Sequence, residues 1–291
     1  GEVMTNSIQT RPSVSRLRGL VLAGLVAVLW AGVSGTAHAQ GGLAVEVTPL
    51  RVELKMAAKA THTQVISLRN DGKETMVVRA RIDEYWLSED GTPQFKYAAA
   101  DTPFSASGWV RLNPSTVTIA PGQTASVRAT TTVPAEAQEG AYRCAVMFEF
   151  DPPGLDLKSA RKDMQFRGRV ATIVYATVGA PKTAIDLVDL QVQPATSGAH
   201  DVIATLTNTG RGYARTKGTL VISAAGGVVV RQLTLPGVPV LPDSRRQFRV
   251  STAGPGQSPL EPGQYTVEVR IDVGQAALIV GETSFEVPRV R

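Results

Sequence analysis

Apolar and polar residues alternate with a period of two along most of the chain. That period puts one row of side chains on a core and the other in water, so it predicts strands. Predicted strands cover Thr63–Arg69, Thr75–Leu87, Trp109–Leu112, Val117–Ile119, Thr124–Val133 and Gly140–Phe150. Turn signals separate them: Asn70-Asp71-Gly72, the loop Ser88–Pro93 and Pro121-Gly122. The first strand changes phase. Val45 and Val47 are apolar at odd positions, then Leu50, Val52 and Leu54 at even ones, with Pro49 between. A one-residue flip at a proline predicts a kink where an edge strand crosses from one sheet to another.

The most strand-like run is Phe166–Gly179, F-R-G-R-V-A-T-I-V-Y-A-T-V-G. Val170, Thr172, Val174, Ala176 and Val178 form one row, and Ala171, Ile173, Tyr175 and Thr177 the other. Both rows are largely apolar, so the strand calls for cover on both faces or a partner on one. The polar segment Asp151–Gln165 before it is longer than a hairpin needs and is a candidate functional or mobile loop.

After a linker at Val178–Ala184 the pattern repeats. Leu206-Thr207-Asn208-Thr209-Gly210 echoes Leu68-Arg69-Asn70-Asp71-Gly72. Leu241-Pro242-Asp243 echoes Ala120-Pro121-Gly122, and Gly263-Gln264-Tyr265 echoes Gly140-Ala141-Tyr142. The offsets are 138, 121 and 123 residues, so the order holds while the register drifts. A duplicated unit is the economical explanation. Both Gly-x-Tyr sites fit the tyrosine corner of immunoglobulin-type sandwiches. The predicted fold is therefore all-β, two tandem immunoglobulin-like β-sandwich domains, residues 40–180 and 181–291, after a cleaved signal peptide at 1–39.

That signal peptide rests on Arg11, Arg16 and Arg18, then the apolar run Leu20–Val33, then Ala37-His38-Ala39 as a small-x-small cleavage site. The run is short for a membrane span, so stable membrane insertion after cleavage is not expected. With Glu2, this segment accounts for +2 of the formal net charge of +5, leaving +3. No basic run points to nucleic acid. Cys144 is the one cysteine, so no intramolecular disulfide forms, and its place two residues after Tyr142 suits a small buried hydrophobe.

The search for chemistry is largely negative. Once the signal peptide is gone, His62 and His200 are the remaining histidines, far apart in sequence. There is no HExxH, nucleophile elbow or phosphate-binding loop, and no metal or cofactor is expected. Adjacent acidic pairs such as Asp83-Glu84 point apart on a strand. What remains is strand chemistry: an exposed edge can be completed by a partner strand. The strands around Arg51 and at Phe166–Val178 are the candidate edges. If they are neighbours, Arg51 and Arg169 could converge as a carboxylate clamp.

At this point the motifs suggest a family. The segments V-E-V-T-P-L-R at Val45–Arg51, I-A-P-G-Q-T-A-S-V-R at Ile119–Arg128, the Leu68–Gly72 turn and Tyr142 ahead of a long strand resemble the first domain of PapD-like periplasmic pilus-assembly chaperones. The second half resembles an immunoglobulin-like domain in general. The resemblance implies a non-enzymatic periplasmic protein that lends its last first-domain strand to a pilin-like or other surface subunit, with an outer-membrane usher as a further partner. It implies subunit strand binding through Val170, Thr172, Val174, Ala176 and Val178. It implies binding of the subunit's carboxylate by Arg51 and a second basic residue. The family's second anchor is a lysine inside the last strand. Here that stretch is Ala171-Thr172-Ile173, and Arg169 is the nearest basic residue. The alternative is a non-catalytic tandem immunoglobulin-like envelope protein that binds a surface protein or cell-wall glycan.

Overall fold

The computed structural model describes residues 45–97, 103–150, 168–195 and 198–289. The signal segment 1–39, the loop 151–165 and the residues Phe166 and Arg167 lie outside them. The described residues all fall in one compact unit. Within it are two β-sandwiches. No α-helix occurs among the described residues, and none of their helices is long and apolar enough to cross a membrane.

The first sandwich is built from β1 (Val45–Thr48), β2 (Arg51–Met56), β3 (Thr61–Asn70), β4 (Met76–Leu87), β5 (Pro93–Tyr97), β6 (Val110–Asn113), β7 (Thr116–Ile119), β8 (Thr124–Thr132), β9 (Gly140–Phe150) and β10 (Gly168–Val178). One sheet has the order β1-β3-β8-β6, and the other β2-β10-β9-β4-β5, with β7 also on β4. The phase flip at Pro49 is this division: β1 pairs antiparallel with β3 in one sheet, and β2 pairs parallel with β10 in the other. Val45, Val47, Val52 and Leu54 all enter the core, whereas Leu50 falls in the crossing and is exposed. The sequence pattern predicts no strand at β5. Its side chains are mostly exposed, which removes the apolar alternation that marks a strand.

The second sandwich uses β11 (Ile185–Pro194), β12 (His200–Asn208), β13 (Ala214–Arg215), β14 (Lys217–Ala224), β15 (Val229–Thr234), β16 (Pro239–Val240), β17 (Ser244–Ser251), β18 (Gly263–Asp272) and β19 (Ile279–Val287). Its main sheets are β11-β12-β17 and β15-β14-β18-β19. Each sandwich has its own apolar core, around Phe148, Ile66 and Leu68 in the first and Leu206, Ile222 and Val267 in the second.

The internal echoes are structural twins. Asn70 is fully buried; its Nδ2 donates to Ile119 O and Glu74 O, and its Oδ1 accepts from Gly72 N–H. Asn208 does the same with Leu241 O, Gly212 O and Gly210 N–H. Tyr142 donates to Gln138 O at 2.9 Å and Tyr265 to Glu261 O at 2.8 Å, each four residues upstream. Gly122 and Asp243 both adopt positive φ, +69° and +47°, at the echoed Pro-Gly and Pro-Asp turns. The turn requires the left-handed region, which Gly enters freely and Asp better than most residues. Cys144 is fully buried, and burial pushes its thiol pKa up, so it serves as core.

Candidate functional site

β10 has two environments. From Ile173 to Val178 it lies between β9 and β2, and Ile173 N–H donates to Leu50 O at 2.9 Å. From Gly168 to Ala171 it pairs with β9 alone among the described residues. The cause is local: the chain leaves for the other sheet at Pro49, so β2 starts at Arg51. Thr172 Oγ1, which donates to Pro49 O at 2.8 Å, marks the point of departure. Backbone groups alternate sides along a strand. Ile173 N–H points away from β9, so the N–H and C=O groups of Arg169 and Ala171 point the same way, towards an edge that no strand of the described residues occupies.

The side chains of β10 are sorted differently from the expectation of a binding row. Thr172, Val174, Ala176 and Val178 are buried, and Val170 packs on the first-sandwich core. This row therefore belongs to the protein's own fold. The outward row is Arg169, Ala171, Ile173 and Tyr175. Alternation alone did not reveal this, because both rows are apolar.

The two arginines do not form one clamp. Arg51 lies opposite Ile173, four residues along the strand from Arg169. At about 3.3 Å per residue that is ~13 Å. Each has its own carboxylate: Arg51 Nε is 3.1 Å from Glu53 Oε1, and Arg169 Nε is 2.7 Å from Glu149 Oε1. The register that separates them is set by pairing between segments far apart in sequence.

Arg169 instead ends a ladder of charges across the sheet. Glu149, on β9 directly opposite, also meets Arg81 Nη1 through Oε2 at 2.5 Å. Arg81 bonds Asp83 at 2.8 Å and lies over the Tyr97 ring at 5.2 Å. Asp83 chiefly, and Glu149 after it, hold the Arg81 guanidinium above its ordinary range.

Farther along the same face the second sandwich docks. Tyr85, Ala145, Tyr175 and Leu241 form a separate apolar cluster, with Ala171, Ile173 and Tyr213 packed on it. Tyr175 stacks on Tyr213 at 5.0 Å, and Gln247 N–H donates to Glu89 O at 2.7 Å. Arg143 is buried here, with Nε donating to Tyr85 O; desolvation depresses its pKa. Beside this cluster is a cleft of about 610 Å³, lined by Glu53, Lys55, Thr177, Tyr213 and Arg215 among others. Burial, with Glu53 adding to it, pushes the Tyr213 phenol up to about 12, while Arg215 and Arg51 pull the other way. Lys55 and Arg215 are the cations lining the cleft among the described residues, and Arg51 lies close enough to act on Tyr213. Lys55 was legible, since Arg51, Glu53 and Lys55 share one face of β2. Arg215 was not, because it arrives from the other sandwich. No group of three or more His, Cys, Asp or Glu residues that could hold a metal occurs among the described residues.

No family model and no curated protein matches this sequence. Solved structures with a similar backbone include the class 5 fimbriae chaperone CfaA, at TM-score 0.43 and 11% identity, covering 82% of this chain and 98% of that one. The YadV chaperone gives 0.42 and 12%, covering 83% and 100%. The CupB2 chaperone of Pseudomonas aeruginosa gives 0.40 and 13%, covering 83% and 98%. Likeness at these values assigns neither a family nor an activity.

Proposed function

We propose that this protein is a non-enzymatic periplasmic chaperone that holds an extended segment of a surface subunit as an added strand on β10. The observation that carries the proposal is the open edge at Gly168–Ala171, which offers the N–H and C=O groups of Arg169 and Ala171 to a partner. The motifs at Val45–Arg51 and Ile119–Arg128 support the kind of partner, a pilin-like or other surface subunit. Affinity comes from backbone pairing, and the buried row Thr172, Val174, Ala176 and Val178 keeps the strand rigid from behind. Arg51, with Lys55 and Arg215 at the cleft, supplies positive charge for a carboxylate of the subunit. Arg169 acts separately, at the open end.

A second reading, a tandem-sandwich envelope protein with no assembly role, is favoured by one observation: the apolar row expected to be lent is buried in the protein's own core.

The test is purification of the tagged protein from the periplasm of its host, beside Ala171→Pro, with mass spectrometry of what accompanies each. Proline removes the Ala171 N–H, which faces the open edge and pairs with no strand among the described residues. Stoichiometric β-rich subunits with the wild type and none with a folded Ala171→Pro protein are expected. A partner retained by the proline variant would favour the envelope reading.

A further inference from the structure

The open edge also carries information about which strand it accepts. Across the outer face of the sheet the charges run from Arg81 and Asp83 on β4, through Glu149 on β9, to Arg169 on β10. Arg79 stands directly opposite Glu149 on its other side. Three arginines thus surround two carboxylates, Asp83 and Glu149, and both carboxylates are largely buried. Glu149 is shared between Arg81 and Arg169. The member at the open edge is a cation, and the Arg169 side chain is 57% exposed. Next to it on the same face are Ala171 and Ile173, both partly buried and apolar.

Directly opposed side chains on neighbouring strands lie about 4.5–5.5 Å apart at Cβ, and opposite charges there are favourable while like charges are not. A strand added to β10 continues the ladder, so its residue beside Arg169 extends an alternation that, among the described residues, stops on a positive charge. We propose that the segment captured at Gly168–Ala171 carries an Asp or Glu side chain beside Arg169, with small or apolar residues two positions away beside Ala171. The partner is thus an extended segment with one carboxylate among apolar residues on the face it shares with the ladder. This rests on the strand-addition reading above. It makes Arg169 a selector of the segment's register, separate from the cleft.

The test uses the full mature chain and labelled eleven-residue peptides of alternating Val and Thr, capped at both ends, with a central Glu, Gln or Lys. A fourth peptide has the Gln centre and a free C-terminal carboxylate. Binding is followed by fluorescence polarisation at low and high salt. The expected order is Glu, then Gln, then Lys, with about tenfold between the extremes at low salt, compressed at high salt. Arg169→Gln should keep binding and lose the ranking. If peptides bind, and Ala171→Pro abolishes binding, but charge makes no difference, the carboxylate assignment is overturned while strand addition stands. If the free-terminus peptide matches the Glu peptide, a terminal carboxylate is the ligand and the side-chain assignment fails. If no peptide binds the wild type, the strand-addition reading fails and this inference with it.

Discussion

The two sandwiches share their corners and differ in their edges. Both have a buried asparagine tying its own turn to a second turn distant in sequence at the same end of the sandwich, and both have a tyrosine bonded four residues upstream. Their first strands differ. In the second sandwich β11 runs ten residues along one partner, β12, with a bulge between Leu187 and Asp189. In the first sandwich the same role is split at Pro49 into β1 and β2, which serve different sheets. The split leaves the front of β10 with β9 as its one partner strand among the described residues. The shared devices are those that any such sandwich needs to close its turns. The departure from them is where a partner could enter.

The strongest way to break this comparison is to strike the twins. Asn70→Ala and Asn208→Ala each leave at least two backbone carbonyls without their side-chain donor, and each should cost about 2–3 kcal/mol of stability. Denaturant unfolding of the two variants checks this. A difference larger than ~1 kcal/mol between them would mean that the turns are not equivalent.

A smaller effect is expected at the tyrosine corners. Tyr142→Phe and Tyr265→Phe each lose one hydrogen bond to a carbonyl near the surface and should cost about 1 kcal/mol, measured the same way.

The junction between the sandwiches gives a pH signature. The ordinary tyrosine pKa is near 10, and Tyr213 is raised to about 12 in the folded protein. A raised phenol pKa favours folding below the unfolded value, and the benefit is lost as pH rises through the folded value. Stability should therefore fall between about pH 10 and pH 12. Tyr213→Phe should make that fall shallower without altering the profile near neutrality. Unfolding midpoints at pH 8, 10 and 11.5 would show it. An unchanged alkaline slope would remove Tyr213 as a contributor.

Much of this fold was legible in the sequence. Alternation located β3, β4, β8 and β9 within one or two residues, and the phase flip at Pro49 identified the sheet crossing. The tyrosine echoes led to twin hydrogen bonds because each tyrosine bonds four residues upstream, and the asparagine echoes because the distant turn each one meets, at Pro121 and Pro242, is itself echoed. The candidate site was less legible. Alternation divides β10 into two rows but cannot say which faces the core when both are apolar. The register of β2 on β10, which separates Arg51 from Arg169, depends on segments more than a hundred residues apart. Arg215 reaches the cleft through packing of one sandwich on the other, which no local pattern encodes.

The central claim is that the amides of Arg169 and Ala171 are vacant in the free protein and taken up by a partner strand. Residue-resolved hydrogen exchange on the free protein and on the complex purified from the host tests it directly. The account predicts fast exchange at Arg169 and Ala171 in the free protein and strong protection in the complex. Ile173, already bonded to Leu50 O, should be protected in both. Equal exchange at Arg169 and Ala171 in the two states would contradict strand addition at this edge.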